Sequence, residues 1–284
     1  MKSILLCADG SGYSGLACQY AAWVATRTGA QVSVLYVSNL RQYEAPFLMD
    51  LGASLGASPY TAVMGQMDKI EQSKAQLIQE YTTKMLNEAG LSEPPTFHHE
   101  TGLLVDTICD FEAGPRGVDL VILGKRGEHA ENAPDHLGHN MERVVRASKK
   151  PCLVTNRAYG EIKKVVFAYD GGESCRKALD WIGRTKLLDR LELHVISVGE
   201  GRGGGKASDR LAEAESALKE AGRQPLVQVL TGDVEDAIEY YVNEVAADLL
   251  LMGAYGHSRI RELIIGSTTR DLLQRCKIPL LLFR

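Results

Sequence analysis

The chain has 284 residues, of which 45% are hydrophobic and 24% are charged, and its formal net charge at pH 7 is −4. This length is sufficient for two ordinary domains, and the composition is typical of a globular protein with a large core. The mildly acidic charge argues against binding to nucleic acid or to an acidic membrane surface, because both need a concentrated basic patch.

The chain opens on a predicted strand, residues 4–8, that leads into Asp9 and Gly10. A charge and a glycine come too early in this segment for a secretion signal, so we interpret it as a buried strand. Elsewhere no apolar run approaches the roughly 20 residues that cross a bilayer. We therefore expect a cytoplasmic protein without a membrane segment, whose six cysteines are reduced and mostly buried.

The opening segment recurs in the second half, where residues 165–169 lead into Asp170 and Gly171. In both copies a predicted strand ends in a valine, Val37 or Val198, twenty-eight residues after the aspartate. The remaining matches are Thr101-Gly102 with Thr231-Gly232, residues 119–124 with residues 248–253, and Gly138 to Pro151 with Gly266 to Pro279. So many matches in one order indicate an internal duplication.

Each copy alternates predicted strands with predicted helices. The strands are continuous apolar runs, which is the pattern of a sheet buried on both faces, and residues 211–221 show helical spacing before Gly222. Such alternation predicts an α/β fold with a parallel, doubly wound sheet and right-handed crossovers. We predict two domains, residues 1–156 and 161–284.

The two copies differ after their second strand. The first contains a long segment, residues 41–66, whereas the second has only the glycine-rich residues 199–205. We interpret residues 201–205 as a flexible link into the next helix. For residues 41–66 we favour a long, partly ordered loop. A lid, a dimer contact and the wall of a hydrophobic ligand site remain open alternatives.

The residues that indicate chemistry lie in the second copy, where the fourth strand leads into a glycine-containing loop and then into a helix. In chain order they are Met252, Gly253, Gly256, Gly266, Ser267 and Thr268. Glycine lets a backbone approach a ligand closely, and a helix N-terminus offers free N–H groups to a phosphate. Asp170 follows a strand at the same predicted edge, so its carboxylate can reach ribose hydroxyls or a metal ion on the phosphates.

The spacing Gly-x2-Gly-x9-Gly-Ser, the strand that ends in Asp170 and the apolar strand at residues 279–283 resemble the universal stress protein (UspA) family. With the duplication, essentially the whole chain resembles a tandem member. This resemblance implies a five-stranded parallel sheet with helices on both faces in each half, in the adenine nucleotide alpha hydrolase-like fold. It also implies that ATP lies between the aspartate loop and the glycine motif.

Position by position, the resemblance implies nucleotide contacts at Ala168, Asp170, Val198, Met252, Gly253, Gly256, Gly266, Ser267 and Thr268. His257 and Arg259, in the loop between the glycines, would add positive charge near the terminal phosphate; a solvated loop without contact is the alternative. Magnesium on the phosphates remains open.

The first copy departs from this pattern. The motif residues that it keeps are Asp9, Val37, Gly124 and Gly127. Ten residues then precede Gly138, and His139 stands where the family pattern has Ser or Thr. An imidazole there would crowd a phosphate, so we predict that the second half holds the nucleotide. Lys125 and Arg126 leave anion binding in the first half open.

The loop of the first copy is also rich in potential zinc ligands. These are His129, Glu131, Asp135, His136 and His139, to which His98 and His99 can be added. Their spacing matches no standard zinc site, and motif matches of this kind are often false. We therefore assign no metal ligand.

The sequence shows no Walker-type basic residue, no paired carboxylates and no nucleophile beside a base, so we assign no catalytic residue. Together with the resemblance to the universal stress protein family, this favours an ATP-binding regulatory protein of the stress response. One alternative is a slow ATP hydrolase in which Asp170 holds Mg²⁺ and His257 or Arg259 offsets charge on the leaving phosphate. The other is a nucleotide-free scaffold or a small-ligand binder that uses the first half.

For assembly, the resemblance suggests that the two halves pack as a pseudo-dimer through their last strands, residues 152–154 and 280–283. Exposed edge strands invite pairing, so a homodimer of chains is a further expectation that the sequence leaves open.

Overall fold

The structure is a computed structural model that describes residues 1–38, 57–115, 117–127, 138–156, 158–199, 205–254 and 266–284. In the first half the strands are β1 (Ser3–Cys7), β2 (Gln31–Ser38), β3 (Thr96–Thr101), β4 (Leu120–Gly124) and β5 (Cys152–Thr155). The helices of this half are α1 (Gly12–Thr28), α2 (Ala57–Glu88), α3 (Leu104–Ala113) and α4 (His139–Ala147).

The second half repeats this order of elements within its described residues. Its strands are β6 (Lys164–Ala168), β7 (Glu192–Gly199), β8 (Leu226–Thr231), β9 (Leu249–Gly253) and β10 (Leu280–Phe283). Its helices are α5 (Glu173–Arg184), α6 (Gly205–Glu220), α7 (Val234–Glu244) and α8 (Ser267–Arg275). The predicted duplication of an α/β unit is confirmed at the level of secondary structure.

The strands form one sheet in the order β3-β2-β1-β4-β5-β10-β9-β6-β7-β8. Within each half the five strands are parallel, as predicted, and β5 pairs with β10 in the antiparallel sense. The cross-strand partners are Leu280 with Val154, Leu281 with Leu153 and Leu282 with Cys152. The two halves therefore join through their last strands, and the edges of the described sheet are β3 and β8.

The sheet is covered on both faces by hydrophobic layers that run through the two halves. One layer packs on α1, α2, α5 and α6, and the other packs on α3, α4, α7 and α8. Because side chains alternate along a strand, Ile4 and Leu6 of β1 enter the first layer while Leu5 enters the second. This two-sided burial explains why the central strands are continuous apolar runs.

The interpretation of residues 41–66 as a loop is wrong for its last part. Helix α2 begins at Ala57, so residues 57–66 are helical, while residues 39–56 lie outside the described residues. Pro59 falls in the first turn, where a helix tolerates proline because the N–H groups there have no intrahelical acceptor. None of the helices in the described ranges has the length and apolar character of a membrane span.

Candidate functional site

The carboxyl ends of β6, β7 and β9 lie side by side, and together they form the carboxyl edge of the sheet in the second half. Ala168 of β6 lies opposite Ile196 of β7 on one side and Met252 of β9 on the other. Met252 is buried, whereas Ala168 and Val198 are half-buried and pack against the same hydrophobic layer. The structure thus brings three of the predicted site residues together as an apolar patch at the sheet edge.

Asp170 lies at the same edge, two residues after β6. Its Oδ1 accepts the N–H of Gly172 at 2.7 Å, in the turn that leads into α5. Gly171 has φ +75°, which favours glycine, and a Cβ on Gly172 would lie only 2.9 Å from Oδ1. The two glycines therefore let the turn close around the carboxylate.

Helix α5 packs so closely on Gly253, at the end of β9, that a larger residue would crowd it. A Cβ there would lie 3.1 Å from Cys175 Sγ and 3.1 Å from Ser174 Cβ. In the first half a Cβ on Gly124 would lie 2.8 Å from Tyr13 Cβ at the start of α1. In both halves, then, a helix N-terminus presses against the end of the fourth strand, a requirement that the motif spacing does not reveal.

A hydrogen bond between Ala254 and Gly266 joins the two ends of the motif loop. The Ala254 N–H donates to the Phe283 carbonyl at 2.7 Å, and the Gly266 N–H donates to the Ala254 carbonyl at 3.4 Å. Thr269 is buried, and its hydroxyl donates to the same Ala254 carbonyl at 3.3 Å. These bonds place the start of α8 beside the end of β9.

The N-terminus of α8 suits an anion. Its N-cap is Gly266, which supplies no side-chain cap, and its first turn contains no acidic residue. By contrast, the N-cap of α7 is Asp233, whose carboxylate accepts the N–H groups of Glu235 and Asp236. The first N–H groups of α8 therefore lack the side-chain partner that α7 has, and a phosphate fits this position chemically.

Glu235 also belongs to this site, although no motif in the sequence predicted it. The Thr268 hydroxyl donates to Glu235 Oε1 at 2.6 Å, and both side chains are half-buried. The only sequence signal was the repeated Thr231-Gly232, which marks the end of β8 just before α7. Ser267, the residue before Thr268, is exposed.

Three of the predicted site residues are not placed by the structure. Gly256, His257 and Arg259 lie between residues 255 and 265, outside the described residues. Their assigned roles therefore stay predictions.

The first half closes its loop in the same way, although that loop is one residue longer. The Lys125 N–H donates to the Thr155 carbonyl at 2.9 Å, and the Gly138 N–H donates to the Lys125 carbonyl at 3.1 Å. Helix α4 begins at His139, and its N-cap Gly138 supplies no side-chain cap. The altered spacing has thus left the backbone at the start of α4 unchanged; the His139 side chain lies outside what the structure describes.

The aspartate of the first half is held by the turn and the helix that follow it. Asp9 Oδ1 accepts the Ser11 N–H at 3.0 Å and the Ser14 hydroxyl at 2.6 Å. A Cβ on Gly127 would lie 2.6 Å from Oδ2, so the motif loop closes on the other oxygen. In the second half Cys175 stands in the place of Ser14, and its thiol contacts the Ala168 carbonyl at 3.5 Å.

Lys125, for which the sequence left anion binding open, instead contacts helix α8. Its side chain is buried, and Nζ donates to the Gln274 carbonyl of α8 at 3.1 Å. The basic residue of the first motif therefore contacts the second half of the chain. Arg126 is half-buried beside it.

The histidine pair on β3 does not form a chelating pair. His98 packs edge-on against Phe111 with ring centroids 5.0 Å apart, whereas His99 stacks on Tyr36 and contacts Ser38 Oγ at 3.1 Å. Adjacent residues of a strand point to opposite faces, so the two imidazoles cannot share one ion. The described residues hold no group of three potential metal ligands. Four other candidate zinc ligands lie in residues 128–137, outside the described ranges.

A cavity of about 310 Å³ lies between the Asp9 turn and α2. Its lining consists of residues 9–11 together with Lys74, Leu77, Ile78 and Tyr81. All of these lining residues belong to the first half.

Comparisons with known proteins agree with this architecture. The sequence profile of the Universal stress protein family matches residues 1–156 and 161–284. Universal stress protein Slr1230 of Synechocystis sp. (strain ATCC 27184 / PCC 6803 / Kazusa) is 42% identical over 291 aligned positions, which cover 100% of both chains.

Solved structures also show the fold. A universal stress protein from Archaeoglobus fulgidus DSM 4304 matches with a TM-score of 0.73 and 22% identity, over 99% of this chain and 97% of that chain. A protein from Pseudomonas aeruginosa UCBPP-PA14 matches with a TM-score of 0.63 and 19% identity, over 99% of this chain and 92% of that chain. The chain therefore belongs to the universal stress protein family and carries the domain of that family twice.

Proposed function

We propose that this protein binds ATP in its second half and acts as a nucleotide-responsive regulatory protein of the stress response. The observation that carries the proposal is the N-terminus of α8, where Gly266 leaves the first N–H groups without a side-chain cap. This helix end lies beside the end of β9, at the sheet edge that also holds Asp170 and the apolar patch of Ala168 and Val198. Open α/β sheets bind their ligands at such an edge.

The parts of ATP match these groups in chemistry. The adenine would pack on Ala168 and Val198, since both are half-buried and apolar. The Asp170 carboxylate would accept ribose hydroxyls, and the N–H groups of Ser267 and Thr268 would hold phosphates. The Thr268 hydroxyl already donates to Glu235, so this residue would offer the phosphates its N–H group and not its side chain.

A regulatory role is favoured over catalysis. The sequence shows no basic residue placed as in a Walker motif to act on the terminal phosphate. Slow ATP hydrolysis would appear as ADP release that the Asp170→Asn variant abolishes.

Binding can be tested by a single substitution at the N-cap of α8. In Gly266→Asp a carboxylate caps the helix and repels phosphate, so we expect ATP affinity to fall at least about tenfold while stability holds or rises by about 0.5–1 kcal/mol. Gly266→Asn is the matched control, because its neutral side chain caps the helix without the charge. Isothermal titration of the full chain measures both affinity and stoichiometry.

The number of ATP molecules bound per chain shows whether one half or both halves bind ATP. We expect one ATP per chain, held by the second half. Absence of binding at millimolar ATP, or equal affinity of the Asp and Asn variants, would overturn the proposal. Two ATP molecules per chain would show that the first half also binds.

The cavity beside Asp9 favours a second candidate function, the binding of a small molecule by the first half. Its volume of about 310 Å³ is at the lower limit of ligand sites, which run from about 300 to 1,000 Å³. Mass spectrometry of the purified Gly266→Asp variant would test this, because a first-half ligand would still co-purify with it. Absence of any ligand would count against this candidate.

A further inference from the structure

The contact between Thr268 and Glu235 brings a carboxylate to the phosphate end of the proposed site. Thr268 lies in the first turn of α8, and Glu235 lies in the first turn of α7. Their side chains meet at 2.6 Å, with the threonine hydroxyl as donor. Glu235 therefore stands beside the same helix end that is proposed to bind phosphate.

The charge of Glu235 is not balanced by the neighbouring basic residue. Arg275 Nη1 lies 2.6 Å from Asp236 Oδ1 and 3.5 Å from Glu239 Oε2, so it pairs with two other acids of α7. Within the described residues, no ion pair joins Glu235 to a lysine, arginine or histidine. A negative charge is thus held at the N-terminus of α8 by Thr268.

Resting on the proposed function, we infer that Glu235 is a specificity residue that makes the site select ATP complexed with Mg²⁺ over free ATP. Two like charges a few ångströms apart repel strongly where burial reduces solvent screening. Free ATP brings the full negative charge of its triphosphate toward the carboxylate. Magnesium cancels part of that charge, and Mg²⁺ in nucleotide sites commonly sits near one or two carboxylates.

The duplication supplies an independent comparison. Thr231-Gly232 corresponds to Thr101-Gly102, so the position of Glu235 corresponds to that of Val105 in the first half. Val105 is half-buried and packs against the hydrophobic layer of α3 and α4. The carboxylate is therefore present in the half that has the intact motif and absent from the other, so the fold itself does not require it.

The test measures the dissociation constant of ATP by calorimetry on the full chain, once in excess EDTA and once in excess Mg²⁺. The quantity compared is the constant in EDTA divided by the constant in Mg²⁺. We expect the wild-type ratio to be at least about tenfold. In Glu235→Gln the amide oxygen still accepts the Thr268 hydroxyl, so the shape is kept and only the charge is lost. The ratio should then fall at least about threefold.

Glu239→Gln is the matched control, since Glu239 lies one turn further along α7 and faces Arg275. Its ratio should stay within about twofold of wild type. Thr268→Val removes the hydroxyl that holds the carboxylate, and its ratio should lie between those of wild type and Glu235→Gln.

The outcomes separate the two proposals. If Glu235→Gln binds ATP with the wild-type ratio, the selectivity inference fails and the nucleotide site stands. If the wild-type chain binds ATP in neither condition, the proposed function fails and this inference fails with it. A ratio that falls equally in Glu239→Gln would also overturn it, because net charge and not Glu235 would then set the selectivity.

Discussion

The Nζ of Lys125 lies 3.1 Å from the carbonyl oxygen of Gln274 and joins the motif loop of the first half to the last turn of α8. Asn156 reinforces this junction, because its Nδ2 donates to the Cys276 carbonyl at 2.6 Å. The last carbonyls of a helix lack intrahelical donors and attract cations. Helix α8 therefore has its N-terminus at the candidate site and its C-terminus held by the first half.

Replacing Lys125 with Met should destabilise the protein. The substitution keeps the apolar stem but removes the buried donor to Gln274, so we expect the free energy of unfolding to fall by about 1–3 kcal/mol. Urea denaturation measures this change. Lys84→Met is the control, since the Lys84 side chain is 72% exposed and should change stability by less than about 0.5 kcal/mol. Equal stability of both variants would show that the contact of Lys125 with Gln274 contributes nothing.

Adding a methyl group to Gly253 should be far more damaging than adding one to Gly266. At Gly253 the Cβ would lie 3.1 Å from Cys175 Sγ, whereas at Gly266 the nearest atom is 3.6 Å away. We expect Gly253→Ala to lower the free energy of unfolding by about 1–3 kcal/mol and Gly266→Ala by less than about 1 kcal/mol. Thermal denaturation of the two variants side by side checks the order, and the reverse order would contradict the packing of α5 on β9.

The pairing of β5 with β10 makes Leu281 a core residue shared by both halves. Leu281 and its cross-strand partner Leu153 are each 1% exposed and belong to one hydrophobic layer. Leu281→Ala should therefore lower the free energy of unfolding by about 2–5 kcal/mol. Leu226→Ala is the matched control on the edge strand β8, where the side chain is 55% exposed, and should change it by less than about 1 kcal/mol. A small effect at Leu281 would mean that the halves do not share a core.

The buried thiols should make the folded chain sensitive to alkaline pH. All six cysteines are free, as predicted, and five are buried, with Cys109 half-buried. Burial, followed by the charge of Asp170, raises the pKa of Cys175 to about 12. An unfolded thiol ionises near pH 8.5, so the stability from this neutral thiol is complete below that pH and declines as the pH rises toward 12.

The measurement is urea denaturation at pH 8 and at pH 10. The loss of stability between these values should be about 2 kcal/mol smaller in Cys175→Ala than in wild type. Cys109→Ala, at the half-buried position, should differ less from wild type. Identical pH profiles for all three proteins would show that Cys175 is not protected from ionisation in the folded state.

The sequence predicted the start of α8 and missed that of α2. Gly266 followed by Ser267 indicated a helix N-terminus, and α8 begins at Ser267. Residues 57–66 were interpreted as loop because Pro59 and Gly65 are common loop residues, yet both lie in α2. A proline in a first turn is compatible with helix, so composition alone could not separate the two structures.

The sequence by itself determined the duplication, the parallel sheet and the edge of the sheet at which Asp170 and Gly266 both lie. These properties follow from the period of the apolar residues and from the common direction of parallel strands, both of which spacing along a chain records. Only the tertiary structure decided that Lys125 reaches α8 and that Glu235 stands beside Thr268. Such contacts join side chains of different elements, and their distances depend on how helices pack on the sheet, which no local pattern of residues specifies.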